Sequence, residues 1–131
     1  DGGVQYSSKG GGGRPAISAA AIACLFNAGE EDDTHVPRML AYAEKHLGSI
    51  SNNSFGHWHY AHFYYSQVMY REGGRKWEAY RDQVERRLVS EAQRDRAGFF
   101  WPQGYIGPAY TTATNLIILQ FDKGTLPIYQ R

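Results

Sequence analysis

The feature that most constrains this chain is an alternation. Glycine-rich breaks divide it into five helical stretches, and stretches that are apolar on every side alternate with amphipathic ones. The first, "RPAISAAAIACLFNAG", puts Pro15 in the opening turn and Gly29 just past the end, with small and aliphatic residues nearly all round. The second lies within "EEDDTHVPRMLAYAEKHLG". It has Thr34 as a candidate cap, Pro37 in its first turn, an apolar stripe of Met39, Leu40, Tyr42, Ala43 and Leu47, and Gly48 as its stop. The third, "HWHYAHFYYSQVMYRE", is crowded with aromatics. The fourth, "KWEAYRDQVERRLVSEAQ", steps Trp77, Tyr80, Val84 and Leu88 along one side and charges along the other. The fifth, "AYTTATNLIILQ", is again almost wholly apolar. No stretch carries a convincing strand pattern, and the tail "FDKGTLPIYQR", with its glycine and proline, is expected to be extended.

A helix that is apolar all round has no face to offer water, so helices one, three and five belong inside and the amphipathic two and four outside. The period of roughly forty-five residues per two helices is that of stacked helical hairpins, a helical repeat. The expectation is an all-α fold of about five main helices, inner and outer alternating.

The chain has 131 residues, enough for one domain or a piece of one, and 42% of them are hydrophobic, enough for a genuine core. Its net charge of +1 excludes the basic surplus expected of a nucleic-acid binder. Arginines cluster between 71 and 96, but acids interleave with them as on a solvated helix face. The single cysteine, Cys24, excludes an internal disulfide framework, and its place in an apolar helix makes it a small core residue. No apolar run is long enough to span a bilayer. The abrupt start at Asp1-Gly2-Gly3, with no initiator methionine, reads as a processed or excised segment. Any targeting signal would then lie upstream, and the compartment stays unknown.

Several segments resemble a known family. "DGGVQY" followed by "RPAISAAAIACLFNAGE", then "HFYYSQVMYREGGRKWEAYRDQVERRLVSEAQ", then "YTTATNLIILQFDKGTLPIYQR", resemble the prenyltransferase and squalene-oxidase repeat proteins, which are α/α-toroids related in architecture to terpenoid cyclases. The C-terminal segment is the most specific part of that likeness. "EAQRDRAGFFW" looks like a degenerate QW motif, with Gln93, Gly98 and Trp101 in its three roles, and "DGGVQY" like the end of another, with Val4 where tryptophan is usual. Such a motif ties the end of an outer helix to the loop before the next inner one. Glutamine bonds the exposed backbone groups while tryptophan stacks on them. The resemblance implies that residues 1–131 are the C-terminal segment of a toroid repeat domain. Five helices supply less than half a ring, so the remainder of the toroid or a self-associating partner would cover the exposed inner helices.

Three candidate sites stand out. His59 and His62 lie three apart on one helix face, while His57 points elsewhere. Two imidazoles do not complete a zinc site, and no cysteine or acid lies at partner spacing, so they read as packing or cavity residues rather than metal ligands. "EEDDTH" resembles the DxDDTA acid motif of squalene–hopene cyclases, with Glu30 for the first aspartate and His35 for the alanine. Its place between an inner helix end and an outer helix start favours acids that simply cap a helix. The run Gly10 to Gly13 lacks the ending of a phosphate loop and reads as a flexible connector.

No nucleophile–base arrangement is legible, and no catalytic residue, metal or cofactor is assigned. The expected function is non-catalytic: binding of a protein, peptide or apolar ligand in the concavity of the inner helices. The alternative is a fragment of a terpenoid-cyclase-like enzyme whose acid lies elsewhere. In toroids of that kind the N-terminal ends of the inner helices point to the cavity. By that resemblance Arg14, Ser18, Tyr110 and Thr111 should gather near His59 and His62, with Tyr6 and Trp101 from the loops. The side carrying His59, His62 and Ser66 should face the concavity.

Overall fold

The computed structural model describes residues 1–54 and 56–125. Five helices account for most of them: α1 (Pro15–Asn27), α2 (Val36–Leu47), α3 (Trp58–Glu72), α4 (Gly74–Glu91) and α5 (Pro108–Ile118). Between α4 and α5 sits a minimal antiparallel hairpin, β1 (Gln93–Arg94) with β2 (Phe99–Phe100), and a 3-10 turn, Phe121–Lys123, follows α5. The fold is all-α apart from that hairpin.

α3 is the element on which the others lie. It packs against α1 on one side and α5 on the other, with α4, α2 and the 3-10 turn also in contact. Only Gly73 separates α3 from α4. The reversal there needs positive φ at Gly73 (+71°) and Gly74 (+58°), a conformation that glycine adopts without steric cost. The side-chain pairs then run in opposite senses: Tyr70 meets Trp77, Ser66 and His62 meet Tyr80, and Trp58 meets Arg87. α3 and α4 are therefore an antiparallel hairpin.

α1, α3 and α5 run the same way. Near the C-terminal end of α3, Arg71 donates to the Phe26 carbonyl in the last turn of α1, while at the other end Tyr60 shares a cleft with Pro15, Ala16 and Ile17. Likewise His59, early in α3, bonds Asn115, and Phe63 and Tyr70 further along stack near Phe121 beyond α5. The N-terminal ends of these three helices thus lie together.

The amphipathic stripes settle as their spacing predicts: Trp77, Tyr80, Val84 and Leu88 of α4, and Met39, Tyr42, Ala43 and Leu47 of α2, are all buried. α1 closes with Gly29 in a left-handed conformation (φ +78°), its N–H reaching the Phe26 carbonyl and that of Glu30 the Leu25 carbonyl, a complete glycine C-cap.

Other expectations need correction. α1 is not covered all round: Cys24 is exposed rather than a core residue, because no element among the described residues packs over that flank. In α5 the buried residues are Thr111, Thr114, Asn115 and Ile118, whereas Leu116 is 44% exposed. Thr34 does not cap α2. The cap position is His35 without a side-chain bond, and Asp33 instead accepts from the His35 backbone N–H (2.8 Å) and pairs with its ring (2.9 Å). The tail is not extended at its start, where Phe121 turns inward and is buried against α3; residues 126–131 lie outside the described residues.

Two indole N–H groups tie loops to helices. Trp101 donates to the Leu88 carbonyl near the end of α4 (2.8 Å), and Trp58 to the Ile50 carbonyl (3.0 Å). The first ties the segment after α4 back to that helix, and not through the glutamine that the sequence pointed to. Tryptophan makes the hydrogen bond, while Gln93 is exposed in the small hairpin, paired with Phe100 through the backbone. The N-terminal segment is also more than a connector. Arg14 N–H bonds the Val4 carbonyl, the Val4 N–H bonds Ser18 Oγ, and the Tyr42 hydroxyl bonds the Gly13 carbonyl, closing residues 4–13 into a pinned loop.

Candidate functional site

Two adjoining clefts open where the N-terminal ends of α1, α3 and α5 meet. The larger-walled one, about 350 Å³, is bounded by His57, His59 and Tyr60 of α3, Tyr110 and Thr111 of α5, Arg87 and Glu91 of α4, and the loop Gln103–Ile106. The second, about 430 Å³, is bounded by Tyr6, Arg14, Pro15, Ala16 and Ile17, and shares His57 and Tyr60 with the first.

His57 owes its position between them to an unusual backbone. It is the one non-glycine with positive φ (+50°) among the described residues, and it forms the cap position of α3 directly after Gly56 (φ +69°). Left-handed geometry costs an L-residue about 1 kcal/mol or more, and such strain concentrates at functional positions. The bend carries the His57 ring to a T-shaped contact with Tyr105, 6.0 Å between centroids. Tyr105 (93% exposed), Ile106 (61%) and Tyr6 (76%) form an apolar rim that the chain leaves open to solvent.

His59 forms the floor of the first cleft. Its Nδ1 lies 3.0 Å from Oδ1 of Asn115, which is fully buried on α5. Burial, chiefly, pushes its pKa below the ordinary histidine value, with the Arg87 charge acting the same way, against the Asn115 bond and Glu91, which act to raise it. The ring is neutral at pH 7. Loop residue Gly104 (φ +111°) lies directly over this floor: a Cβ there would strike Thr111 Oγ1 and come within 3.4 Å of His59 Cδ2. No larger residue allows so close an approach.

The charged pair on the wall is already engaged. The Arg87 guanidinium lies 4.1 Å over the Trp58 ring, bonds Glu91 (2.8 Å) and Asn53 (3.3 Å), and donates to the Ile50 carbonyl. This knot fastens the 49–54 loop to α4. It also leaves the cleft's one carboxylate, Glu91, neutralised by its partner.

The residues expected to gather at one site divide among several places. His59, Tyr110 and Thr111 line the first cleft, and Tyr6 and Arg14 the second, with Arg14 5.3 Å over the Tyr6 ring. Ser18, His62 and Trp101 do not line either. Ser18 is consumed by Val4 N–H and the Arg14 carbonyl, and Trp101 by its tether to α4. His62 and Ser66 do not face an open concavity. They point into the α3–α4 interface, where His62 Nδ1 (2.9 Å) and Ser66 Oγ (3.1 Å) flank the buried Tyr80 hydroxyl. Burial pushes the His62 pKa down to about 3, helped by the Arg87 and His59 charges, so His62 is neutral and shares its Nδ1 hydrogen bond with the Tyr80 hydroxyl. Burial likewise holds Tyr80 protonated.

The acids of "EEDDTH" sit at the opposite end of α1, about 20 Å from the clefts by helix length. There Glu31 pairs with Arg71 and Asp33 with His35. Among the described residues, no three histidine, cysteine or acidic side chains come together as a metal site. No helix among the described residues is long and apolar enough to cross a membrane.

Sequence reasoning missed His57, Gly104, Tyr105, Arg87 and Asn115. Asn115 alone left a signal, as the one amide in the apolar run "TATNLIIL". No family model, no curated protein and no solved structure matches this chain.

Proposed function

We propose that this chain is part of an α/α-toroid, with α1, α3 and α5 as inner helices and α2 and α4 as outer ones, and that it binds a small, largely apolar ligand at the inner helices' N-terminal ends without transforming it. Support for the architecture is the row α1–α3–α5, parallel and side by side, with α4 antiparallel to α3. The observation that carries the function is the chemistry of the cleft. Trp58, Tyr60, Tyr105 and Tyr110, with Ile106, give the cleft an aromatic wall, and polar side chains such as His59 and Thr111 stand among them as anchors, a combination suited to a small ligand. The one carboxylate on its wall is already paired with Arg87.

Organic extraction and mass spectrometry of the natively purified protein tests this. A small apolar compound released in near-stoichiometric amount, and unchanged after incubation with the protein, is the expected result. Cyclisation or transfer of a bound polyprenyl compound would instead identify a terpenoid-cyclase-like enzyme. Stoichiometric zinc lost on substituting His59 would replace the cavity reading with a metal site.

A further inference from the structure

Asn115 is an expensive residue where it stands. It is fully buried on α5, its Oδ1 is spent on His59 Nδ1, and its Nδ2 has no partner among the described residues. An unpaired buried amide N–H costs on the order of 1–3 kcal/mol, and leucine would fill the same space without that penalty. What the amide does accomplish is orientation. With Oδ1 as acceptor, His59 Nδ1 carries the proton, and Nε2 of the neutral ring is left bare. Nε2 makes no hydrogen bond among the described residues, and His59 lines the cleft. The Gly104 backbone flanks the adjacent Cδ2 edge, where an added Cβ would come to 3.4 Å.

We infer that Asn115 is a positioning residue that fixes His59 as a hydrogen-bond acceptor on the cleft floor, and that the ligand this cleft takes carries a hydroxyl donor on an otherwise apolar body. The inference rests on the reading of the cleft as a ligand site. It adds to it the polar group that the ligand must present. The surrounding polar groups agree with this choice. Burial, first, and neighbouring Tyr64 keep the Tyr60 phenol protonated, so its O–H is available to donate as well as to accept. Arg87, the one permanent cation on the wall, is occupied by Glu91, Asn53 and the Ile50 carbonyl. His59 Nε2 is then a fixed acceptor that a ligand meets on the cleft floor. An alcohol or phenol satisfies it, whereas an ether or hydrocarbon leaves it unpaired, and a site built around such an acceptor rejects them.

The test compares p-cresol with 4-methylanisole, which keeps the ring and the oxygen but lacks the proton. The side-chain ¹⁵N spectrum of wild-type protein should first show His59 with Nδ1 protonated and Nε2 bare. On titration p-cresol should shift His59 Nε2 and bind about five- to tenfold more tightly than the ether, the worth of one hydrogen bond. The double variant His59→Phe with Asn115→Leu removes both polar partners together, so neither is left unpaired. It should bind the two compounds equally. A protonated Nε2 in the wild type, or equal binding of the two probes to it, overturns the inference while leaving the cleft a ligand site. Failure of both probes to shift any signal of His57, Tyr60 or Tyr110 would overturn the site itself, and the inference with it.

Discussion

His62 should make this fold acid-labile, and the size of the effect follows from its surroundings. The ring is fully buried between α3 and α4 with its Nδ1 bonded to the Tyr80 hydroxyl, so protonation places a charge in the interior and near Arg87. Its pKa is about 3 in the fold against 6.5 in the unfolded chain. Between those values the unfolded chain binds the extra proton, so stability is complete above about pH 6.5 and is lost as the pH falls toward 3. Each unit inside the window costs about 1.4 kcal/mol, and going from pH 7.5 to 5 removes about 2 kcal/mol through His62 alone. That is a large part of an ordinary domain's stability. His59, also depressed, adds in the same direction. Glu31 and Asp33, whose carboxyls are held low by backbone hydrogen bonds first and by Arg71 and His35 next, lose their contribution only as the pH falls further, below the ordinary carboxylate range. Urea unfolding followed by tryptophan fluorescence from pH 7.5 to 5 isolates the histidines. His62→Asn, whose amide oxygen can still accept from Tyr80, should lose about 2 kcal/mol less over that interval than the wild type. Equal losses in the two proteins, within about 0.5 kcal/mol, would refute the assignment.

Three further outcomes follow from the same packing. Tyr80→Phe deletes a hydroxyl that serves both His62 and Ser66, and should lower stability by about 2–3 kcal/mol by urea titration, with Ser66→Ala costing less. Gly104→Ala places a methyl on Thr111 Oγ1 at positive φ; it should cost about 1–3 kcal/mol and perturb the His59 ring signals in the NMR spectrum. Arg87→Met keeps much of the contact with Trp58 but releases the Ile50 carbonyl and Asn53, so hydrogen exchange should accelerate in residues 49–54 while the middle of α4 stays protected.

The five helices were legible in the sequence because apolar periodicity is a one-dimensional signal, and Trp77, Tyr80, Val84 and Leu88 all turned inward as their spacing requires. Caps were less legible. Thr34 lost to His35 because Asp33 bends the preceding turn onto itself. Burial of α1 and α5 was overestimated for a different reason: an apolar pattern shows what a helix would bury, not what this chain supplies to bury it, so Cys24 and Leu116 remain outside. The site was the hardest part. Spacing placed His59 and His62 on one face, but three residues along a helix is also about 60° of rotation and about 4.5 Å of rise. That was enough to send one ring to the cleft and the other to Tyr80. Arg87 and Gly104 act through loops whose closure no periodicity encodes.

The position of α3 beneath every other helix has a consequence for how the molecule comes apart. Its partners meet one another far less than they meet α3, apart from α1 with α2, so the contact map is a star rather than a ring or a chain. In a star the arms can detach singly. α5 with its trailing turn, or the pair α1 and α2, can open and reclose while the hub persists. The hub itself is released only when all the arms have gone. Amides in the middle of α3 should therefore exchange with solvent only through complete unfolding, while those of α5 exchange at a lower free energy. The same layout bears on the order of assembly. The α3–α4 hairpin, joined by a single glycine and stitched by Tyr70–Trp77 and Tyr80, is the most local pairing available to the chain and forms the natural nucleus onto which the flanking helices condense.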